Sequence, residues 1–186
     1  MKLAYAMCGS FCTHKNAIEQ MRLLAQRHDL TAVLSEVTRD TDTRFGRADT
    51  LRETVTGICG SAPITSIRSA EEQITRGGFD AVIVSPCTGN TLAKIANGIT
   101  DSTVTMCVKA QLRNRRAVII ALATNDGLGA ALGNIALTLE KKNIYFVPFG
   151  QDNPQEKPTS LICDFSRISE TLSCAIQGTQ IQPLLI

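Results

Sequence analysis

Five short apolar runs, LAYAM (3–7), LTAVLS (30–35), FDAVIVS (79–85), AVIIALA (117–123) and NIYFVPF (143–149), punctuate the chain at wide intervals. None alternates apolar with polar residues, so none reads as a strand with one wet face. Such runs are strands buried on both sides, which requires helices above and below the sheet. The intervening segments have the pattern for that. Ala17, Ile18, Met21, Leu24 and Ala25 fall on one helical stripe, as do Ala48, Leu51, Val55 and Ile58. Leu92, Ile95, Ala96 and Ile99 repeat it, then Leu128, Leu132, Ile135 and Leu139, and near 166–177 Ile168, Leu172 and Ile176. A weaker run, PITSI (63–67), is a candidate sixth strand. The alternation predicts a three-layer, doubly wound α/β fold on a mostly parallel sheet of about six strands, in a single domain over 1–186. GQDNPQEKP (150–158) reads as a polar loop before the last helix, and QIQPLLI as a tail available for an oligomer contact.

Composition removes several classes of function. Apolar residues make up 44% of the 186 and charged residues 19%, as in a folded globular chain. The formal charge of +2 is small and dispersed, and with no Trp and two Tyr there is little surface for stacking bases. Nucleic acid is therefore not an expected partner. The seven cysteines are scattered and odd in number, form no CxxC pair, and are joined by only His14 and His28, so no zinc pattern is read. This usage fits a reducing cytosol. In MKLAYAMC the apolar stretch is too short for a secretory signal, and no run is long enough to span a bilayer, so a soluble, intracellular chain is expected.

Ligands of such sheets collect at the carboxyl ends of the strands. After the first strand comes CGSFCTHK, where Gly9 and Ser10 can turn tightly and offer backbone N–H groups to an anion. It is neither a GxGxxG fingerprint nor a GxxxxGK[ST] loop. After the second comes SEVTRDTDTRFGRAD, with Ser35, Arg39, Arg44 and Arg47, either anion forks or a solvated surface. After the third, SPCTGNT (85–91) empties a buried strand into hydroxyls, an amide and a thiol: a helix N-cap from Thr88 or Asn90, a ligand site, or both. After the fourth, TNDGLG presents Asn125 and Asp126. Together these loops describe a polar pocket for something anionic. The catalytic inventory is thin, because Cys87 has no cationic neighbour in sequence to favour its thiolate and no Ser–His–Asp order or carboxylate pair stands out. A cofactor is expected to carry the chemistry.

The same residues bear a resemblance. PCTGNT aligns without gaps to the PASANT motif of the homo-oligomeric flavin-containing cysteine decarboxylase family, and KIANGITDS resembles its following K-x-A-x-G-x-x-D-N. GSF resembles that family's Gly-Ser-Ile turn, Ser35 its serine after strand two, and LATN (122–125) its PAMN segment. VKAQLRNRRAVIIAL resembles the basic helix-to-strand junction of the flavin prenyltransferases. Within the superfamily, GSFCT, DTRFG, SPCTGNTLAKIANGITD, KNIYFVPFGQDNP and KPTSL resemble the family of dipicolinate synthase B subunits.

The resemblance implies a Rossmann-like flavoprotein fold and FMN as cofactor, held by Gly9, Ser10, Phe11, Ser35, Thr88, Gly89, Thr91 and Arg113. It implies a small dicarboxylate substrate contacted by Asn90, Asn125, Arg44 and Ser66, with Asn90 and Cys87 as the catalytic candidates. The implied reaction is dehydration and two-electron oxidation of a hydroxylated tetrahydro precursor to dipicolinate. The implied partner is an A subunit, through which a nicotinamide cofactor would enter. The implied setting is the mother-cell cytoplasm of a spore former, in a trimer-based homo-oligomer. One departure bears on the chemistry: where the cysteine decarboxylases carry a histidine in a PVIHIEL-like segment, this chain has PITSIRS (63–69). That argues against a decarboxylase-like lyase, and leaves a flavin oxidoreductase or a non-catalytic partner of the A subunit.

Overall fold

The computed structural model describes residues 1–186. In chain order its elements begin with β1 (Lys2–Met7), a 3-10 turn at Phe11–Thr13 and α1 (His14–Ala25). There follow β2 (Asp29–Leu34), α2 (Glu36–Asp40), α3 (Ala48–Cys59) and α4 (Ile67–Arg76). The middle of the chain supplies β3 (Ala81–Cys87), α5 (Gly89–Asn97), α6 (Thr103–Arg113), β4 (Ala117–Thr124) and α7 (Leu132–Leu139). The last part holds β5 (Ile144–Phe146), β6 (Phe149–Asn153), β7 (Lys157–Cys163), a 3-10 turn at Phe165–Arg167 and α8 (Ile168–Ile176).

Five strands run parallel in the order β2-β1-β3-β4-β5. From β1 the chain crosses outward to β2, whereas every later crossover runs the other way. Right-handed connections therefore put α1 on one face and α4, α6 and α7 on the other. The contacts agree: α4 packs on α6, and α8 covers β4 and β5 while its leading turn meets α1. The parallel strands are mostly apolar because both their faces are covered; every residue of β3 is buried. Each fully buried Val or Ile contributes about 1.5–3 kcal/mol. One cluster of 47 buried residues joins sheet and helices. A polar tie runs through it, where Tyr5 Oη donates to Ala17 O at 2.8 Å and accepts from the Ser85 hydroxyl at 2.9 Å, fixing β1 against α1 and β3.

Three expectations change. PITSI is not a strand: only Ile64 bridges Val33, and Ser66 then caps α4, accepting from Ser69 N–H at 3.2 Å. GQDNPQEKP is not a loop but the turn of a β-hairpin. Its strand β7 pairs antiparallel with Ala123 and Thr124, taking over the edge of β4 beyond the short β5. The helix expected from Leu128 starts at Leu132, because 125–131 make tight turns around Asp126, whose carbonyl accepts from Gly129 N–H and Ala131 N–H. The QIQPLLI tail runs beside β6, Phe149 N–H donating to Leu184 O and Ile186 N–H to Phe149 O.

Candidate functional site

In a 2-1-3-4-5 sheet the crossover direction reverses between β1 and β3, and the loops leaving their carboxyl ends separate to leave a crevice. Here it is a cavity of about 610 Å³, walled by the loop after β1, the turn after β3, the turn after β4 and the β6–β7 hairpin. Cys8 N–H donates to Pro86 O at 3.3 Å and ties the first two walls together. Phe45, at the tip of the 41–47 loop, reaches the same cavity.

The turn after β3 does two jobs with different residues. Thr88 is the N-cap of α5: its hydroxyl accepts from Thr91 N–H at 3.1 Å and donates to Thr91 Oγ1 at 3.0 Å. Gly89 opens the helix where a β-carbon would lie 2.6 Å from Thr124 Oγ1 and 2.9 Å from Asp126 Oδ1, so no side chain fits without displacing the neighbouring wall. Asn90 is exposed on the cavity, and its amide makes no hydrogen bond within the chain. Helix α5 closes at Gly98 (φ 72°), a left-handed cap that favours glycine.

The backbone N–H groups of Gly9, Ser10, Gly89 and Asn90 have no partner within the chain, and all four residues line the one cavity. Such exposed donors at a turn and at a helix N-terminus form an anion-binding concavity. The charged side chains of the cavity supply no net positive charge. Asp152 and Lys157 of the hairpin neutralise one another at 2.7 Å, and Asp126 accepts from Thr124 Oγ1. Pairing with Asp152 raises the Lys157 ammonium pKa, so that group stays charged.

The structure brings together Gly9, Ser10, Phe11, Thr88, Gly89, Asn90 and Asn125 of the sequence-predicted residues. Asn125 is exposed there, its carbonyl accepting from Thr159 Oγ1 at 2.7 Å while its amide is free. The remaining candidates stand elsewhere. Ser35 is buried at the end of β2 and caps α2, its hydroxyl donating to Thr38 Oγ1 at 2.9 Å and accepting from Thr38 N–H. Thr91 is buried behind the turn, engaged with Thr88. Cys87 belongs to the core rather than the cavity wall, and burial pushes its thiol far above the usual range, which removes the thiolate a nucleophile needs. Ser66 is an exposed cap on α4, bonded to Ser69. Arg44 lies over the Phe45 ring at 4.8 Å and lines neither large cavity.

Arg113 is displaced furthest. It ends α6, which leads into the amino end of β4, so within one chain it sits at the opposite edge of the sheet from the crevice. Sequence reasoning passed over Asp152 and Lys157, which come to the cavity only because a polar segment folds into a hairpin. Asp126 was visible in TNDGLG but read as a cap.

Comparison with known proteins follows the same residues. The Flavoprotein family model matches residues 6–146, from β1 to β5. The B subunit of dipicolinate synthase from Bacillus subtilis (strain 168) is 33% identical over 186 residues, covering 100% of this chain and 93% of that protein. The crystal structure of the dipicolinate synthase B subunit from Bacillus halodurans superposes with a TM-score of 0.91 at 37% identity, covering 100% of this chain and 95% of the other. The FMN-dependent cysteine decarboxylase SpaF shares the fold at a TM-score of 0.67 and 22% identity, over 96% of this chain and 97% of that one. The chain belongs to the Flavoprotein family, and within it to the group formed by the B subunits of dipicolinate synthase.

Proposed function

We propose that this chain binds FMN in the β1–β3 crevice and works as the B subunit of a dipicolinate-forming system, in one domain over 1–186. The observation that carries the reading is the set of four unpartnered N–H groups, from Gly9, Ser10, Gly89 and Asn90, on one cavity at the switch point. They suit a phosphate monoester, which needs directed donors more than net charge. Asp126 can bond the hydroxyls of a ribityl chain, Phe11 and Phe45 offer apolar surface to a ring, and a cavity of about 610 Å³ is of cofactor size. When bound, FMN would supply the two-electron acceptor that the side chains lack.

The chain's own residues then have distinct work. Gly9, Ser10, Phe11 and Gly89 contact the cofactor, while Thr88, Thr91 and Ser35 hold the loops from behind. Asn90 and Asn125 hold free amides that can orient a carboxylate of the substrate by hydrogen bonds, leaving its charge to be met elsewhere. The substrate is a small dicarboxylate, to be dehydrated and oxidised on its way to the aromatic ring. PITSIRS offers only the exposed Ser66 and Arg68 in place of a histidine, which disfavours the lyase alternative. The name of the relatives implies a companion subunit, here an A subunit that would bring a nicotinamide cofactor. A homo-oligomer is supported by exposed Leu128, Leu132, Leu137, Leu185 and Ile186 on α7, the turn before it and the tail. No helix is long and apolar enough to cross a membrane, and a cytoplasmic place in a sporulating cell is part of the proposal.

Reconstitution tests it: this chain, the A subunit and the hydroxylated precursor are mixed, with FMN and the nicotinamide cofactor omitted in turn. Dipicolinate formation that requires FMN supports the oxidoreductase reading. Formation at full rate without flavin makes the chain a non-catalytic partner.

A further inference from the structure

The cations do not lie where a dicarboxylate would need them if it sat wholly in the crevice. There the only cation among the lining side chains is Lys157, already tied to Asp152. A second cavity, of about 690 Å³, shares Phe11, Cys12 and Phe45 with the crevice and extends between α1 and α3 under the 41–47 loop. Its wall carries Lys15, Arg22 and Arg47 against a single carboxylate, Glu19. Lys15 and Arg22 make no ion pair or hydrogen bond within the chain, and Arg47 has only Asp49, at 3.8 Å. Three cations left with so little internal pairing beside one cavity are available to an anionic ligand, and guanidinium in particular suits a carboxylate.

His14 completes this wall. Its Nε2 lies 2.8 Å from Cys8 O, an oxygen that can only accept, so Nε2 carries the proton and Nδ1, which has no partner within the chain, presents a lone pair. Burial lowers the pKa of the ring, which favours this neutral form. The rest of the wall is apolar or hydroxylic, with Ile18, Leu51, Thr38 and Thr50 giving a ring something to lie against.

We propose that the second cavity receives the carboxylate-bearing end of the substrate, a small heterocyclic dicarboxylate. Lys15 and Arg22 bind its carboxylates, and His14 Nδ1 accepts a hydrogen bond from a ring N–H or hydroxyl. This rests on the flavin reading of the crevice for its purpose: a ligand seated against Phe11 and Phe45 is placed at the boundary the two cavities share. The phosphate then belongs to the backbone donors and the carboxylates to the cations.

The test titrates the full chain calorimetrically with pyridine-2,6-dicarboxylate and, separately, with FMN. The chain is compared with the Lys15→Gln/Arg22→Gln double variant and with His14→Gln, whose amide can keep the bond to Cys8 O. The double variant, altered only at exposed positions, is expected to lose roughly tenfold or more in dicarboxylate affinity while FMN affinity is unchanged. His14→Gln should bind this probe about as well as the parent, because a pyridine ring has no N–H or hydroxyl to donate to Nδ1, and should lose affinity for piperidine-2,6-dicarboxylate, whose ring N–H can donate; if it does not fold, the double variant still decides the matter. The inference is overturned if the parent chain does not bind the dicarboxylate, if the double variant binds it equally well, or if the double variant loses FMN instead. If FMN fails to bind while the dicarboxylate binds through Lys15 and Arg22, the flavin reading falls and this one stands.

Discussion

Thr88 and Asn90 are two residues apart on one turn, and substituting them should have separable effects. Thr88→Ala deletes the hydroxyl that accepts from Thr91 N–H at 3.1 Å and leaves the first turn of α5 with another orphan donor. Loss of such a cap costs about 1 kcal/mol, within a range of about 0.5–2. In a chain of this length each kcal/mol moves the melting point by about 2–4 °C. Asn90→Ala removes an exposed amide with no internal partner, so stability should change by less than about 0.5 kcal/mol. The N–H of residue 90 survives, so the donor set for a phosphate is intact. Only the side-chain bonds to ligand are lost, at about 0.5–1.5 kcal/mol each. Two such bonds correspond to roughly a 5- to 150-fold loss in substrate binding or turnover. Thermal melts of the two variants and dipicolinate formation in the reconstituted system measure both effects. The expected pattern is a lowered melting point for Thr88→Ala, restored in Thr88→Ser, and an unshifted melting point with impaired turnover for Asn90→Ala. If Asn90→Ala melts several degrees low, or turns over normally, the division of labour is refuted.

Three further outcomes follow from other parts of the molecule. Cys12 is exposed on the crevice, whereas burial raises the thiol pKa values of Cys8, Cys87, Cys107 and Cys163. A maleimide should therefore label Cys12 first, and FMN should slow that step; labelling indifferent to FMN would place the flavin elsewhere. Glu36 Oε1 accepts from Thr103 N–H at 2.9 Å and Thr103 Oγ1 at 2.7 Å, pinning the β2 loop to the start of α6. Glu36→Ala should cost about 1.5–3 kcal/mol and Glu36→Gln less, since its amide oxygen still accepts, as read from denaturant midpoints. The pKa values of His14 and His28 are both lowered, chiefly by burial, so on acidification the unfolded chain takes up protons first. Stability should then fall as pH drops through the unfolded histidine value, about 6.5, and be fully retained above it. His14→Gln should flatten part of that slope in melts run from about pH 7.5 to about pH 5; an unchanged slope would mean that His14 is not the group responsible.

The parallel sheet was legible because its strands are apolar on both faces, and β3 and β4 read without ambiguity. PITSI deceived because two isoleucines around a polar pair imitate a strand, whereas Ser66 has the better use as a cap for IRSAEEQITR. The β6–β7 hairpin was hidden for the opposite reason. Its tip is exposed, so Gln151, Asp152 and Lys157 carry no burial pattern, and the pairing of β7 with Ala123 and Thr124 is long-range. At the site, Gly9, Ser10, Gly89, Asn90 and Asn125 were readable because they follow strands in sequence and so share an edge in space. Arg113 and Arg44 were not, since charge on a sequence says nothing about which end of a helix or side of a loop faces the crevice. The cations that do share a cavity, Lys15 and Arg22, sit on the exposed face of α1, where a single sequence shows only an ordinary solvated helix.

The crevice is claimed as a flavin site, and direct binding decides that claim. The full chain, stripped of ligand and titrated with FMN, should quench flavin fluorescence to saturation at one flavin per chain and turn visibly yellow after gel filtration. FMN fluorescence that stays that of the free cofactor, with a colourless protein fraction, would contradict the account at its centre.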